Sequence, residues 1–114
     1  MNFMNETFEN TRVELHGNSY HNCTFKKCEL VYDGDRSPTF YDNEYIDSVF
    51  VFTGSALRTL YFLGNMYQAG DGGKEVVEKT FADLKNQKIH GHEARTIRPH
   101  TEDCSISKPN LTIN

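Results

Sequence analysis

This chain of 114 residues contains no apolar run long enough to cross a membrane. Its first eight residues, Met1 to Phe8, hold Glu6 and no basic residue, so they lack the charged head and apolar stretch of a secretory signal. The expected location is therefore the cytoplasm. Cysteine is scarce: Cys23, Cys28 and Cys104 are an odd count in a chain without an export signal, which favours free thiols over a disulfide framework. Four residues separate Cys23 from Cys28 and no second cysteine pair lies nearby, so zinc is not expected there. Positive charge is also short, with twelve Lys and Arg against sixteen Asp and Glu and a net charge of −4. That sign, without a basic face interleaved with aromatics, disfavours direct binding to nucleic acid.

What charge there is lies unevenly. Residues 1–55 carry −5, residues 56–84 carry −1, and residues 85–100 carry +3 through Lys85, Lys88, Arg95 and Arg98 against Glu93. An acidic body therefore precedes a basic, histidine-bearing segment. The hydrophobic fraction of 37% is that of an ordinary globular chain, and the length suits one domain with a modest core.

Large apolar residues recur every five positions in three blocks: Phe3, Phe8, Val13; then Tyr20, Phe25, Leu30; then Phe40, Tyr45, Phe50. A small residue stands two places before many of them, as Thr11, Cys23, Cys28 and Ser48 do. The second block starts 17 residues after the first and the third 20 after the second, with the surplus in turn-forming stretches at Gly17-Asn18 and Asp33 to Pro38. If each block is one turn of a coil, the blocks stack as parallel strands about 4.8 Å apart, with the apolar sets superposed inside. Phe8, Phe25, Tyr45 and their partners are then core residues, not a ligand cage.

The five-residue period, with a small residue two places before a central Phe or Leu, resembles the pentapeptide-repeat family of right-handed quadrilateral β-helices. The resemblance covers residues 3–52. It departs from the family pattern by inserting a loop after every third unit and by using Cys and Thr where that family favours Ala or Asn. The chain is also similar to small bacterial and phage proteins that join such a coil to a C-terminal helical pair. The fold implied is mainly β: a three-rung right-handed parallel β-helix capped by two helices, followed by an extended C-terminal arm.

Ser55 is the expected N-cap of a first helix over Ala56 to Gln68. That helix is apolar nearly all round, so it needs cover on more than one side: one face can plug the open coil, and the other needs a second helix or a second subunit. Lys74 to Asn86 reads as the second helix, with Val77, Phe81 and Leu84 as a narrow apolar stripe. Between them, Gly70-Asp71-Gly72-Gly73 ahead of Lys74 reads as a helix-to-helix turn or, alternatively, as a phosphate cradle. Residues 1–86 are expected to form one domain, with rungs over 1–53 and the helical cap over 55–86, leaving 87–114 as the arm. The first rung has no cap ahead of it, and exposed solenoid ends invite self-association. A homodimer or larger closed assembly is expected.

The arm holds the densest group of chemically capable side chains: Lys88, His90, His92, Arg95, Thr96, Arg98 and His100. His90 and His92 could share a metal from one face of a strand, although no nearby carboxylate or Cys has ligand spacing. A catalytic His requires a partner that only the fold can place. The two arginines with the threonines suit an anion by charge and fork geometry. A solvated arm of scattered charge is the plain alternative. The leading reading is a non-catalytic oligomeric binding protein that sequesters a small anionic, nucleotide-type ligand at clefts between subunits, as in phage counter-defence, with no cofactor. A second reading, implied by the resemblance, is a protein-interaction module or DNA mimic. A third is a small enzyme using His90, His92 or His100 as acid or base and Arg95 or Arg98 as phosphate holder.

Overall fold

The computed structural model describes residues 1–96. It is mainly β, with nine short strands in three parallel sheets followed by two helices. In chain order the strands are β1 (Asn2–Met4), β2 (Thr7–Glu9), β3 (Arg12–Glu14), β4 (Ser19–His21), β5 (Thr24–Lys26), β6 (Glu29–Tyr32), β7 (Thr39–Tyr41), β8 (Glu44–Ile46) and β9 (Val49–Phe52). The helices are α1 (Gly54–Gln68) and α2 (Asp71–Lys85). The described residues form two compact units, one over Met1–Tyr61 and one from Phe62 onward.

In the first unit each of β1 to β6 pairs with the strand three places on, giving sheets β1-β4-β7, β2-β5-β8 and β3-β6-β9. The register puts Phe3, Tyr20 and Phe40 side by side, then Phe8, Phe25 and Tyr45, then Val13, Leu30 and Phe50. These are the columns that the five-residue period predicts. The strands end after three or four residues because the chain turns through the left-handed region at Asn5, Asn10, Asn22, Lys27, Asp42 and Asp47, with φ of 48–58°. Asn and Asp enter that region at little cost, so the corner chemistry is written into the sequence, except at Lys27. Hydrogen bonding does not lapse at these corners. Asn5 N–H donates to the His21 carbonyl (3.0 Å), and Thr24 N–H donates to the Glu6 carbonyl (2.9 Å).

Aromatic rings stack along the columns. Phe25 lies 5.1 Å from Phe8 and 5.6 Å from Tyr45, nearly parallel to both, and Tyr20 stacks likewise between Phe3 and Phe40. Neighbouring columns meet edge to face, as Tyr20 and Phe25 do at 5.4 Å. The small inward residues fill the corners between the columns. Asn43 accepts from Cys23 N–H (2.8 Å) and donates to the Tyr20 carbonyl (3.0 Å), while Ser48 Oγ accepts from Cys28 N–H (3.0 Å). Cys23 and Cys28 are buried free thiols whose sulfurs lie 3.5 and 3.3 Å from the carbonyls of Phe3 and Phe8. The closed core is Leu15 and the middle rung, with Tyr20, Cys23, Phe25, Cys28 and Leu30 fully buried.

Ser55 does not cap its own helix. Its hydroxyl donates to the Asp33 carbonyl (3.2 Å), which also receives Ala56 N–H (3.4 Å), and Leu57 N–H closes the first turn on Thr53. Helix α1 therefore starts at Gly54, and the loop after β6 supplies the acceptor that the first turn lacks. That loop can approach because Gly34 has no side chain: a Cβ there would stand 2.3 Å from Ser55 Oγ.

In the second unit, α2 starts at Asp71, three residues earlier than expected, so most of the glycine stretch is helix. Gly70, at φ 128°, makes the reversal, and a Cβ on Gly73 would meet the Met66 carbonyl at 1.9 Å. The glycines permit close helix contact, and Asp71 places a negative charge where a phosphate would bind. Of the expected α2 stripe Val77 is buried, but Phe81 and Leu84 are exposed. Asp83 is buried instead, paired with Lys79 one turn earlier.

Candidate functional site

Of the side chains expected to bind a ligand, Lys88, His90, His92 and Arg95 are exposed. Arg95 Nε donates to Glu93 (2.8 Å), so its charge is answered by its neighbour. Thr96 Oγ1 lies 2.7 Å from Thr80 Oγ1 on α2, which ties the segment down with the hydroxyl that an anion would use. Arg98 and His100 lie outside the described residues. No described hydrogen bond or ion pair joins Lys88, His90, His92 and Arg95 to one another. Among the described residues no three His, Cys, Asp or Glu side chains gather as metal ligands.

The acids of the coil form no continuous stripe. Along β2-β5-β8, Glu9 is followed by Lys26 and Ile46; along β3-β6-β9, Glu29 stands between Arg12 and Val49, and Glu14 is followed by Val31 and Val51. Arg12 reaches Glu29 (3.0 Å) and Glu14 (3.2 Å), and their hydrogen bonds, Glu29 first, raise its pKa above the ordinary guanidinium value. A row of neutralised and interrupted carboxylates does not copy the even spacing of DNA phosphates.

The feature that the first unit does present is apolar. In the third rung Tyr45 and Phe50 stay 40% and 47% exposed, although their middle-rung partners Phe25 and Leu30 are fully buried, and Val49 and Phe52 on the same strand as Phe50 are exposed as well. The plug expected from α1 is not made: no residue of α1 is buried, and Leu57, Leu60 and Tyr61 are 37–65% exposed. The reason lies in the first turn, where the contacts of Ser55 and Ala56 fasten the helix to the loop after β6. Between that loop, β9 and the start of α1 is an open cavity of about 340 Å³, walled by Tyr32, Phe52, Ala56 and Leu60 with Ser55 and Thr59. Both hydroxyls are engaged, Ser55 with Asp33 and Thr59 with the Ser55 carbonyl (2.9 Å). The cavity is lined mainly by apolar side chains and holds no basic residue, so it suits an apolar group.

This surface was half legible from the sequence. The all-round apolarity of α1 signals an unpaired face, whereas the cavity depends on Gly34 admitting the loop, which only the fold reveals. Burial raises the phenols of Tyr20 and Tyr45 above their ordinary pKa, partly opposed by hydrogen bonds with Asn18 and Asn43. No helix among the described residues is long and apolar enough to cross a membrane. No profile of a known protein family, no curated protein and no solved structure matches the chain.

Proposed function

We propose that this is a non-catalytic interaction protein: a right-handed three-turn parallel β-coil that works as a homo-oligomer through the apolar surface of its third rung and α1. The right hand follows the strong general preference of parallel strand connections within one sheet. The observation that carries the reading is the contrast between the closed middle rung and the open third rung beside a helix with no buried residue. At roughly 200 Å² per aromatic side chain, the exposed parts of these residues amount to on the order of 600 Å² per copy. A symmetric contact then buries about 1,200 Å², the lower bound of specific interfaces. The chemistry of this surface favours a protein over a nucleotide as its partner.

Sedimentation velocity over roughly 1–100 μM, the weak-binding end for interfaces of this class, is the test. The expected species has about twice the 13.1 kDa chain mass. A species that stays at 13.1 kDa at every concentration refutes the proposal.

A further inference from the structure

Helix α1 carries one charged residue in fifteen, Arg58, and buries none of its side chains. A helix of that composition standing in water is a helix whose partner is missing. Along one side run Leu57, Leu60, Tyr61 and Gly64, spaced i, i+3, i+4 and i+7, the spacing of a helix-packing seam. The first three are exposed apolar residues. The fourth is a glycine in mid-helix, where a Cβ would meet nothing within 4 Å.

Gly64 needs a reason. In a helix interior glycine costs about 1 kcal/mol relative to alanine, and among the described residues nothing approaches closely enough to require it. Gly73 and Gly34 do have such reasons, since Gly73 faces the Met66 carbonyl and Gly34 faces Ser55. A missing side chain beside leucines and a tyrosine lets a second helix backbone come close. We infer that α1 packs against α1 of a second copy of this chain, antiparallel about a two-fold axis, with Gly64 near the crossing and Tyr61 of each helix laid over the other.

The second copy is the occupant for two reasons. Two-fold contacts use the same patch on both partners, and the seam with the open third rung has the area that a small dimer requires. The seam also carries no charge that would demand an opposite charge on a different protein. This inference rests on the self-association proposed above and specifies the surface that performs it.

Sedimentation of point variants tests it, with circular dichroism as the check on folding. Gly64→Leu places a side chain in space that is open in the single chain, so the fold should persist while the dimer is lost. Gly64→Ala should raise the melting temperature of the single chain and still weaken association. Tyr61→Ala should weaken association by about tenfold or more, as central interface aromatics do, and Tyr41→Ala, which removes an exposed ring on β7, should leave it unchanged. If the wild type is dimeric and both Gly64→Leu and Tyr61→Ala associate as tightly as it does, the helix seam is wrong and self-association stands on another surface. If the wild type is a monomer, or assembles only with a different protein, both fall.

Discussion

Replacing Phe25 with alanine, alongside the same change at Phe50, tests how the coil is held together. Phe25 is fully buried and sandwiched between Phe8 and Tyr45 at 5.1 and 5.6 Å. Its loss leaves a cavity between the rings of Phe8 and Tyr45, and deleting a buried phenylalanine costs about 3–5 kcal/mol. Phe50 sits one rung away in the neighbouring column. It is half exposed and touches Tyr45 at 5.4 Å and Phe40 at 6.2 Å. With about half the area to lose and open space into which neighbours can relax, its removal should cost about 1–2 kcal/mol. The difference matters because a unit of this size is stable by only about 3–9 kcal/mol, at about 0.05–0.15 kcal/mol per residue. Urea unfolding at low protein concentration should therefore show a much larger fall in midpoint for Phe25→Ala, which loses half or more of the stability in the middle of that range, than for Phe50→Ala. Equal losses, or a larger loss at Phe50, would refute the picture of a closed middle rung and an open third one.

Lys27 is the one long side chain at a left-handed corner of the coil, at φ 54°; Lys27→Asn should raise the melting temperature, gaining about 0.5–1 kcal/mol, as differential scanning calorimetry can show. Gly34→Ala forces a Cβ to 2.3 Å from Ser55 Oγ at φ 90° and should cost about 2 kcal/mol or more by chemical denaturation. Burial raises the folded-state phenols of Tyr20 and Tyr45 above their ordinary 10.0, so the folded chain holds those protons more tightly than the unfolded one. Their contribution to stability is complete below pH about 10 and is lost as pH climbs through the higher folded values. Thermal melts should fall on the alkaline side of that value, and less steeply in Tyr45→Phe.

The coil was legible because one physical rule covers it. An inward aromatic every fifth residue, a small residue two places earlier and a turn-forming corner all repeat, so Phe3, Tyr20 and Phe40 align without any knowledge of tertiary contacts. What failed to show was set by contacts between distant residues. Asn43 fills the place that Cys23 fills one rung below, but a buried amide looks like a loop residue until the Tyr20 carbonyl and Cys23 N–H are seen to satisfy it. Ser55 has the composition of an N-cap and instead serves the Asp33 carbonyl. The glycines at 70–73 read as a loop, whereas Gly73 lies within α2 and is a glycine because the Met66 carbonyl leaves no room for a Cβ. Charge density drew attention to the segment from Lys88 to His100, yet its described members face solvent, pair locally or hold α2. The apolar surface of α1 bears more specific chemistry than its charges do.

Hydrogen–deuterium exchange followed as a function of protein concentration tests the central claim most directly, because it reports burial of the surface as well as mass. Amides of α1 should exchange more slowly as concentration rises, including those that open locally, while those of β4 to β6, already closed in the single chain, should slow only by the global stability that association adds. Exchange in α1 that is the same at every concentration, with the helix fraying freely, would contradict a second copy on that face.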